Sequence, residues 1–216
     1  MKTYTLVFIL MLLALYSFGQ KPTKHIVDPK AIKLNNEATK LLGYNNNDST
    51  LKGVYLLDKA TEIDSNYYLA YSNKLTCLTQ LRQYDKAIAT AKRLIRFKPL
   101  APDIYMMCGE IYDKINDTIS SNIYFNKALA LSNAYLDTMK VENINYDMFI
   151  MNKAVTLIML NQQVEGNKLL KQLYNRQKYE TFKEHIKSFM NKNKKELLEF
   201  MEELSNYTTE EKVRKK

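Results

Sequence analysis

Turn formers are scarce in this chain. Glycine occurs five times and proline four times in 216 residues, too few for the many tight turns of a sandwich or barrel, so those classes are excluded. There is no tryptophan, and histidine and cysteine occur twice each. His25 and His185 stand near opposite ends, and with Cys77 and Cys108 they make no familiar zinc spacing. No glycine-rich phosphate loop, nucleophile elbow or paired metal-binding histidines occur. The sequence therefore reads as a non-enzyme that needs no metal or cofactor. Beyond its first residues, no apolar run approaches the roughly 20 residues of a membrane-spanning helix.

The start of the chain carries the first positive signal. Lys2 supplies a cationic opening, Leu6 to Tyr16 an apolar stretch, and Ser17 and Gly19 the small residues a signal peptidase reads. This predicts a signal peptide over residues 1–19, cut between Gly19 and Gln20, and export to a bacterial periplasm or outer envelope. No cysteine lies near the cut, so a lipid anchor is not indicated. The remainder is long enough for one domain with ample core. The net charge of the whole chain, +9, is uneven. Residues 168–195 hold nine cations (Lys168, Lys171, Arg176, Lys178, Lys183, Lys187, Lys192, Lys194, Lys195) against Glu180 and Glu184. Export argues against nucleic acid as the partner, which leaves a solvated cationic helix face or a docking site for an anionic surface.

What the chain does have is a period. Shifting residues 68–101 forward by 34 places them on residues 102–135, with Tyr71 on Tyr105, Leu78 on Tyr112, Ala87 on Ser121, Ala91 on Phe125 and Leu94 on Ala128. Apolar residues at helical spacing predict helices from Ala31 to Gly43 and from Leu51 to Ile63, parted by the polar run Tyr44 to Ser49. Further helices are expected from Tyr68 to Leu81, Asp85 to Phe97, Asp103 to Ile115 and Ile119 to Leu131, each pair joined by a polar turn. Hairpins this short cannot bury both faces alone, so they must stack. Cys77 and Cys108 fall on the first helices of successive hairpins. An even pair permits a disulfide, but their spacing falls short of the repeat, which favours two buried thiols.

With these residues in place, the chain resembles the tetratricopeptide repeat family. The second unit supplies Tyr71, Leu75, Leu78, Ala87, Ala91, Leu94 and Pro99; the third supplies Tyr105, Gly109, Tyr112, Ser121, Phe125 and Ala128. The first (Ala38, Leu41, Gly53, Leu57, Ala60) and the fourth (Ala154, Leu157, Gly166, Leu170, Leu173) match by frame. The resemblance implies an all-α fold, a right-handed superhelical array of helix hairpins (an α-solenoid) with C-terminal capping helices. The units would be 31–67, 68–101, 102–135 and 147–180, after a polar leader at 20–30 and with an insertion at 136–146. Capping helices would span 181–206, with a charged tail at 207–216. Gly53, Gly109 and Gly166 fall at the family's small-residue positions, where helix backbones cross closely.

The resemblance also implies a function, an interaction scaffold whose first helices line a concave groove for a protein or peptide. The frame assigns Leu69, Ser72, Thr76, Thr79 and Gln80 to that groove in the second unit, and Met106, Glu110, Asp113 and Lys114 in the third. In the fourth it assigns Met148, Met151, Val155, Ile158 and Met159. A carboxylate clamp would use Asn73, but Met106 and Glu110 stand where that clamp needs cations. The fourth unit's first helix is apolar all round, because Phe149, Ile150, Ala154 and Leu157 occupy its other side, and such a helix must be covered on every face. Either residues 182–204 fold over it, or it is a methionine-rich docking face for an apolar partner. A binding domain for an envelope glycan or peptide, and a self-associating protein using the fourth unit, are the alternative functions. The oligomeric state is left open.

Overall fold

The computed structural model describes residues 25–42, 46–143 and 145–201. The signal peptide, the start of the leader, the end of the capping segment and the charged tail lie outside the described residues. Among the described residues every regular element is a helix: α1 (Pro29–Leu42), α2 (Asn47–Ile63), α3 (Tyr68–Gln80), α4 (Tyr84–Phe97), α5 (Pro102–Lys114), α6 (Thr118–Thr138), α7 (Tyr146–Met159), α8 (Gln163–Arg176), α9 (Glu180–Phe189) and α10 (194–201). Each pair from α1/α2 to α7/α8 packs as a hairpin, and each return helix packs on the first helix of the next pair. The result is the expected all-α solenoid.

Two helix ends differ from expectation for local reasons. The polar run before the second helix belongs partly to it. Asn46 is extended, and its side chain accepts a hydrogen bond from the Ser49 N–H at 2.8 Å, so α2 starts at Asn47 rather than Leu51. The return helix of the third unit runs past Leu131 to Thr138, so the expected insertion begins as a continued helix. Asp117 caps its start by accepting from the Ser120 N–H at 2.9 Å.

The turns inside the hairpins share one device. Arg82, Asn116 and Asn161 take the left-handed conformation, with φ of 54°, 61° and 62°. The following amide in each turn reaches back to close it: Gln83 to the Leu78 carbonyl at 2.9 Å, Asp117 to Tyr112 at 2.9 Å and Gln162 to Leu157 at 2.8 Å. This satisfies carbonyls that a helix end leaves without partners. Asn tolerates such a φ because its short side chain can bond locally; Arg82 has no such advantage.

Two apolar cores run through the array. The first joins α1 to α5 and is rich in small residues, including Ala31, Ala38, Ala60, Ala70, Ala87 and Ala91, with Leu57, Leu75 and Leu78. The second is built from Phe125, Met151, Ile158, Met159, Leu170, Leu173, Ile186, Phe189 and Leu197, which joins α6 through α10. Cys77 and Cys108 are free and buried, their thiols pushed up to about 11 and about 12 by burial, so no disulfide forms.

The glycines divide. A Cβ on Gly109 would stand 2.7 Å from the Phe125 ring, and one on Gly166 would stand 2.7 Å from the Ala154 carbonyl oxygen. Both positions require the missing side chain. At Gly53 the nearest atoms are 3.7 Å away, an ordinary contact, so close helix crossing does not explain that residue.

The leader makes a specific long-range contact. His25 Nε2 lies 2.9 Å from both oxygens of the buried Asp64 carboxylate, which also accepts from the Asp28 and Asn66 amides at 3.1 and 3.0 Å. Burial alone pushes that carboxyl up, but the Asp28 and Asn66 amides and His25 together pull it below its ordinary value. The leader is thereby held against the α2/α3 turn.

Candidate functional site

The helix frame places the expected groove residues at equivalent positions of successive first helices, although on α7 Ile158 also packs against Gly166 of the return helix. The stripe position of Thr76 on α3 recurs as Glu110 on α5 and Val155 on α7. In the same order, Ser72 recurs as Met106 and Met151, Thr79 as Asp113 and Ile158, and Gln80 as Lys114 and Met159. Along the array this inner stripe passes from neutral polar through charged to apolar.

Its exposure changes in step. On α3, Leu69, Thr76 and Gln80 are exposed and Ser72 and Thr79 half-buried. The two threonines bond their own helix, Thr76 Oγ1 to the Ser72 carbonyl at 3.3 Å and Thr79 Oγ1 to Leu75 at 2.9 Å, so they offer a smooth surface rather than reaching groups. Asn73, the one residue matching a clamp, donates from Nδ2 to Asn35 Oδ1 at 2.8 Å, and so ties α3 to α1.

On α7 the expectation of an open groove is overturned. Met151, Val155, Ile158 and Met159 are all buried, the last two completely. They belong to the core that takes in Ile186 and Phe189 of α9 and Leu197 of α10. The terminal helices cover the apolar face, because a helix with Ala154 and Leu157 buried on one side and Met159 on another has no face left for water. Met148, at the start of α7, stays exposed.

The third unit lies between these extremes and holds the charged chemistry. Asp113 pairs with Lys194 of α10, with Nζ at 3.0 Å from Oδ1 and 2.8 Å from Oδ2, and both side chains are largely shielded from water. Glu110, one turn earlier on α5, has its Oε1 buried without a hydrogen-bond partner. Burial pushes its carboxyl up to about 7; Lys114 pulls against this and Asp113 adds to it. Met106 is half-buried against the second core, and Lys114 is exposed. Glu110 and Asp113 are therefore covered rather than presented to solvent.

Sequence reasoning missed the partner of this acidic pair. Lys194 was counted in the cationic stretch, which the structure partly neutralises. Arg176 pairs with Asp147, Lys183 with Glu180 at 2.8 Å, Lys187 with Glu184 at 3.6 Å and Lys195 with Glu199 at 3.8 Å. Lys168, Lys171 and Lys178 are exposed.

Among the described residues no cluster of His, Cys, Asp and Glu is placed to hold a metal ion, and no helix is long and apolar enough to cross a membrane. No family model matches the chain, and no curated protein matches it in sequence. A solved structure does match: MamA, from residue 41 to its end, of Desulfovibrio magneticus RS-1, with a TM-score of 0.41 and 13% identity. The match covers 69% of this chain and 96% of that one. A likeness of that size carries no functional argument. The class rests on the helices themselves, an array of stacked hairpins with one inner stripe open and its continuation covered.

Proposed function

We propose that this protein is an exported, non-catalytic interaction scaffold that holds a protein or peptide partner on the inner stripe of its first half. The observation that carries this reading is the contrast along one face. Two positions that are buried on α7, Val155 and Met159, are open on α3 as Thr76 and Gln80. An exposed stripe on a stacked array, with its threonine hydroxyls already bonded to their own helix, suits a partner that brings shape and backbone rather than charge. The exposed cations Lys168, Lys171 and Lys178 on and just beyond α8 would give a second, weaker contact to an anionic surface. Self-association through the fourth unit loses its basis, since the face it needed is inside the core.

Site-specific photocrosslinking tests the reading in the cells that make the protein. A crosslinker at Thr76 or Gln80 should yield one discrete adduct, and a control at Ala89 on the return helix should not. Adducts of equal strength from both faces would sink it. Export is checked separately by sequencing the mature N-terminus, which should begin at Gln20.

A further inference from the structure

On the side of α3 opposite Thr76 and Gln80, the array leaves a gap. Helices α2 and α4 both pack on α3, and where they part a cleft of about 320 Å³ opens. Tyr71, Lys74 and Leu78 line it from α3, at the spacing that puts three residues on one helix face. Val54 and Asp58 line it from α2, and Lys86, Ala89, Thr90 and Arg93 from α4.

The next unit shows what the repeat puts at these positions elsewhere. One repeat on, Leu78 becomes Tyr112 and Thr90 becomes Tyr124. Those two rings stack with centroids 5.2 Å apart, and Tyr105 packs on Tyr124 at 6.2 Å. The second unit keeps the first ring, as Tyr71, and replaces the other two by smaller side chains. Lys74 likewise stands where the third unit buries Cys108. The cleft is thus a departure of one unit from its own pattern.

Its charges are unbalanced. Lys74 pairs with Asp58. Arg93 is held over the rings of Tyr71 and Phe97, 5.8 and 4.9 Å from their centroids, and its Nη2 donates to the Ser65 carbonyl at 3.0 Å. Among the described residues no carboxylate pairs with Arg93 or with the exposed Lys86. The rest of the lining is mostly apolar, at Val54, Tyr71, Leu78 and Ala89. A cavity of this size stands at the small end of ligand sites, which begin at roughly 300 Å³, so it suits a small molecule rather than a length of chain. Inorganic phosphate would answer the cations but leave the apolar lining uncovered. A carboxylate on a short apolar body answers both.

We propose that the cleft between α2 and α4 binds a small monocarboxylate with an apolar body, its charge met by Lys86 and Arg93 and its body seated on Tyr71 and Leu78. The site lies apart from the inner stripe, and it stands or falls independently of the scaffold reading.

The test titrates the full chain with isocaproate and with phenylacetate, followed by the NMR shifts of Val54, Leu78 and Tyr71. At least one acid should saturate these shifts below about 10 mM. Its neutral amide should bind at least about tenfold more weakly, and inorganic phosphate at equal concentration should not displace the acid. Lys86→Gln should weaken the acid about fivefold, whereas Lys127→Gln, one repeat on from Arg93, should not. Thr90→Tyr, which installs the ring found in the next unit, should abolish binding. Lys86 is exposed, so its variant stays informative if Thr90→Tyr fails to fold. Failure of both acids to saturate, equal affinities for acid and amide, displacement by phosphate, or an unchanged affinity in Lys86→Gln would overturn the proposal. So would a protein adduct from a crosslinker at Ala89, which would give the cleft to a macromolecule.

Discussion

Helices α3 and α7 occupy equivalent places in the array and do opposite things with the same face. On α3 the inner stripe reads Ser72, Thr76, Thr79, Gln80, half-buried at Ser72 and Thr79 and exposed at Thr76 and Gln80; on α7 it reads Met151, Val155, Ile158, Met159 and is inside a core. The backbone frame does not decide between these outcomes. Side-chain polarity does, together with the presence of a segment later in the chain able to cover the apolar version. The comparison teaches that one repeat face can serve as docking surface or as core, with α5 holding the boundary between the two.

The largest effect should come from truncating the covered stripe. Ile158→Ala removes a fully buried side chain and should cost about 2–5 kcal/mol, whereas Thr76→Ala should stay within about 0.5 kcal/mol. Urea denaturation of both variants checks the contrast, and similar losses would erase the distinction between the two faces.

Next comes the boundary residue. In the folded protein Glu110 titrates near 7 instead of its ordinary 4.5, so the folded state holds the proton more tightly. Below pH 4.5 the group costs nothing, and the cost grows as pH rises toward 7 and then levels off. The loss over that window is on the order of 3 kcal/mol. Stability measured from pH 5 to 8 should fall for the parent chain and flatten for Glu110→Gln.

The glycines sharpen the same contrast at smaller scale. Gly166→Ala would press against the Ala154 carbonyl, part of the backbone, and should cost about 1–3 kcal/mol. Gly53→Ala meets only ordinary contacts and should be neutral or stabilise by up to about 1 kcal/mol through helix propensity. Thermal melts of the two variants should therefore shift in opposite directions, or one should not shift at all.

The smallest effect concerns the leader. His25→Ala removes a half-exposed partner of Asp64 and should cost about 1 kcal/mol or less. The carboxyl of Asp64 is held low in the folded state, so its contribution is present above its unfolded value and fades as pH falls through the folded one. The deficit of His25→Ala should therefore be visible at pH 6 and shrink on acidification. Protease cleavage near Val27 should become faster in the variant.

Much of this fold was legible because its logic is local and repeated. Tyr71 and Tyr105, Ala87 and Ser121, Ala91 and Phe125 announce the hairpins by spacing alone. The α7 stripe announced that something must cover it, since no side of that helix could face water. Which residues would do the covering was harder to read, because Lys194 and Asp113 are 81 positions apart and neither belongs to a pattern. The His25–Asp64 contact, 39 positions apart, was hidden for the same reason. The left-handed turns left a partial trace, asparagine at two of the three sites, but Arg82 in the third breaks the signal. Asn46 looked like a loop residue because capping and loop chemistry use the same side chains.

The pairing of Asp113 with Lys194 also sets an order of events in synthesis. A chain made from its N-terminus can stack α1 to α4 as soon as they emerge, since each hairpin needs only its neighbour. The second core must wait until the chain has grown 81 positions beyond Asp113, to its cation. Until then Met151, Val155 and Ile158 have no cover, and for that interval the unfinished protein presents the face that its completed form conceals.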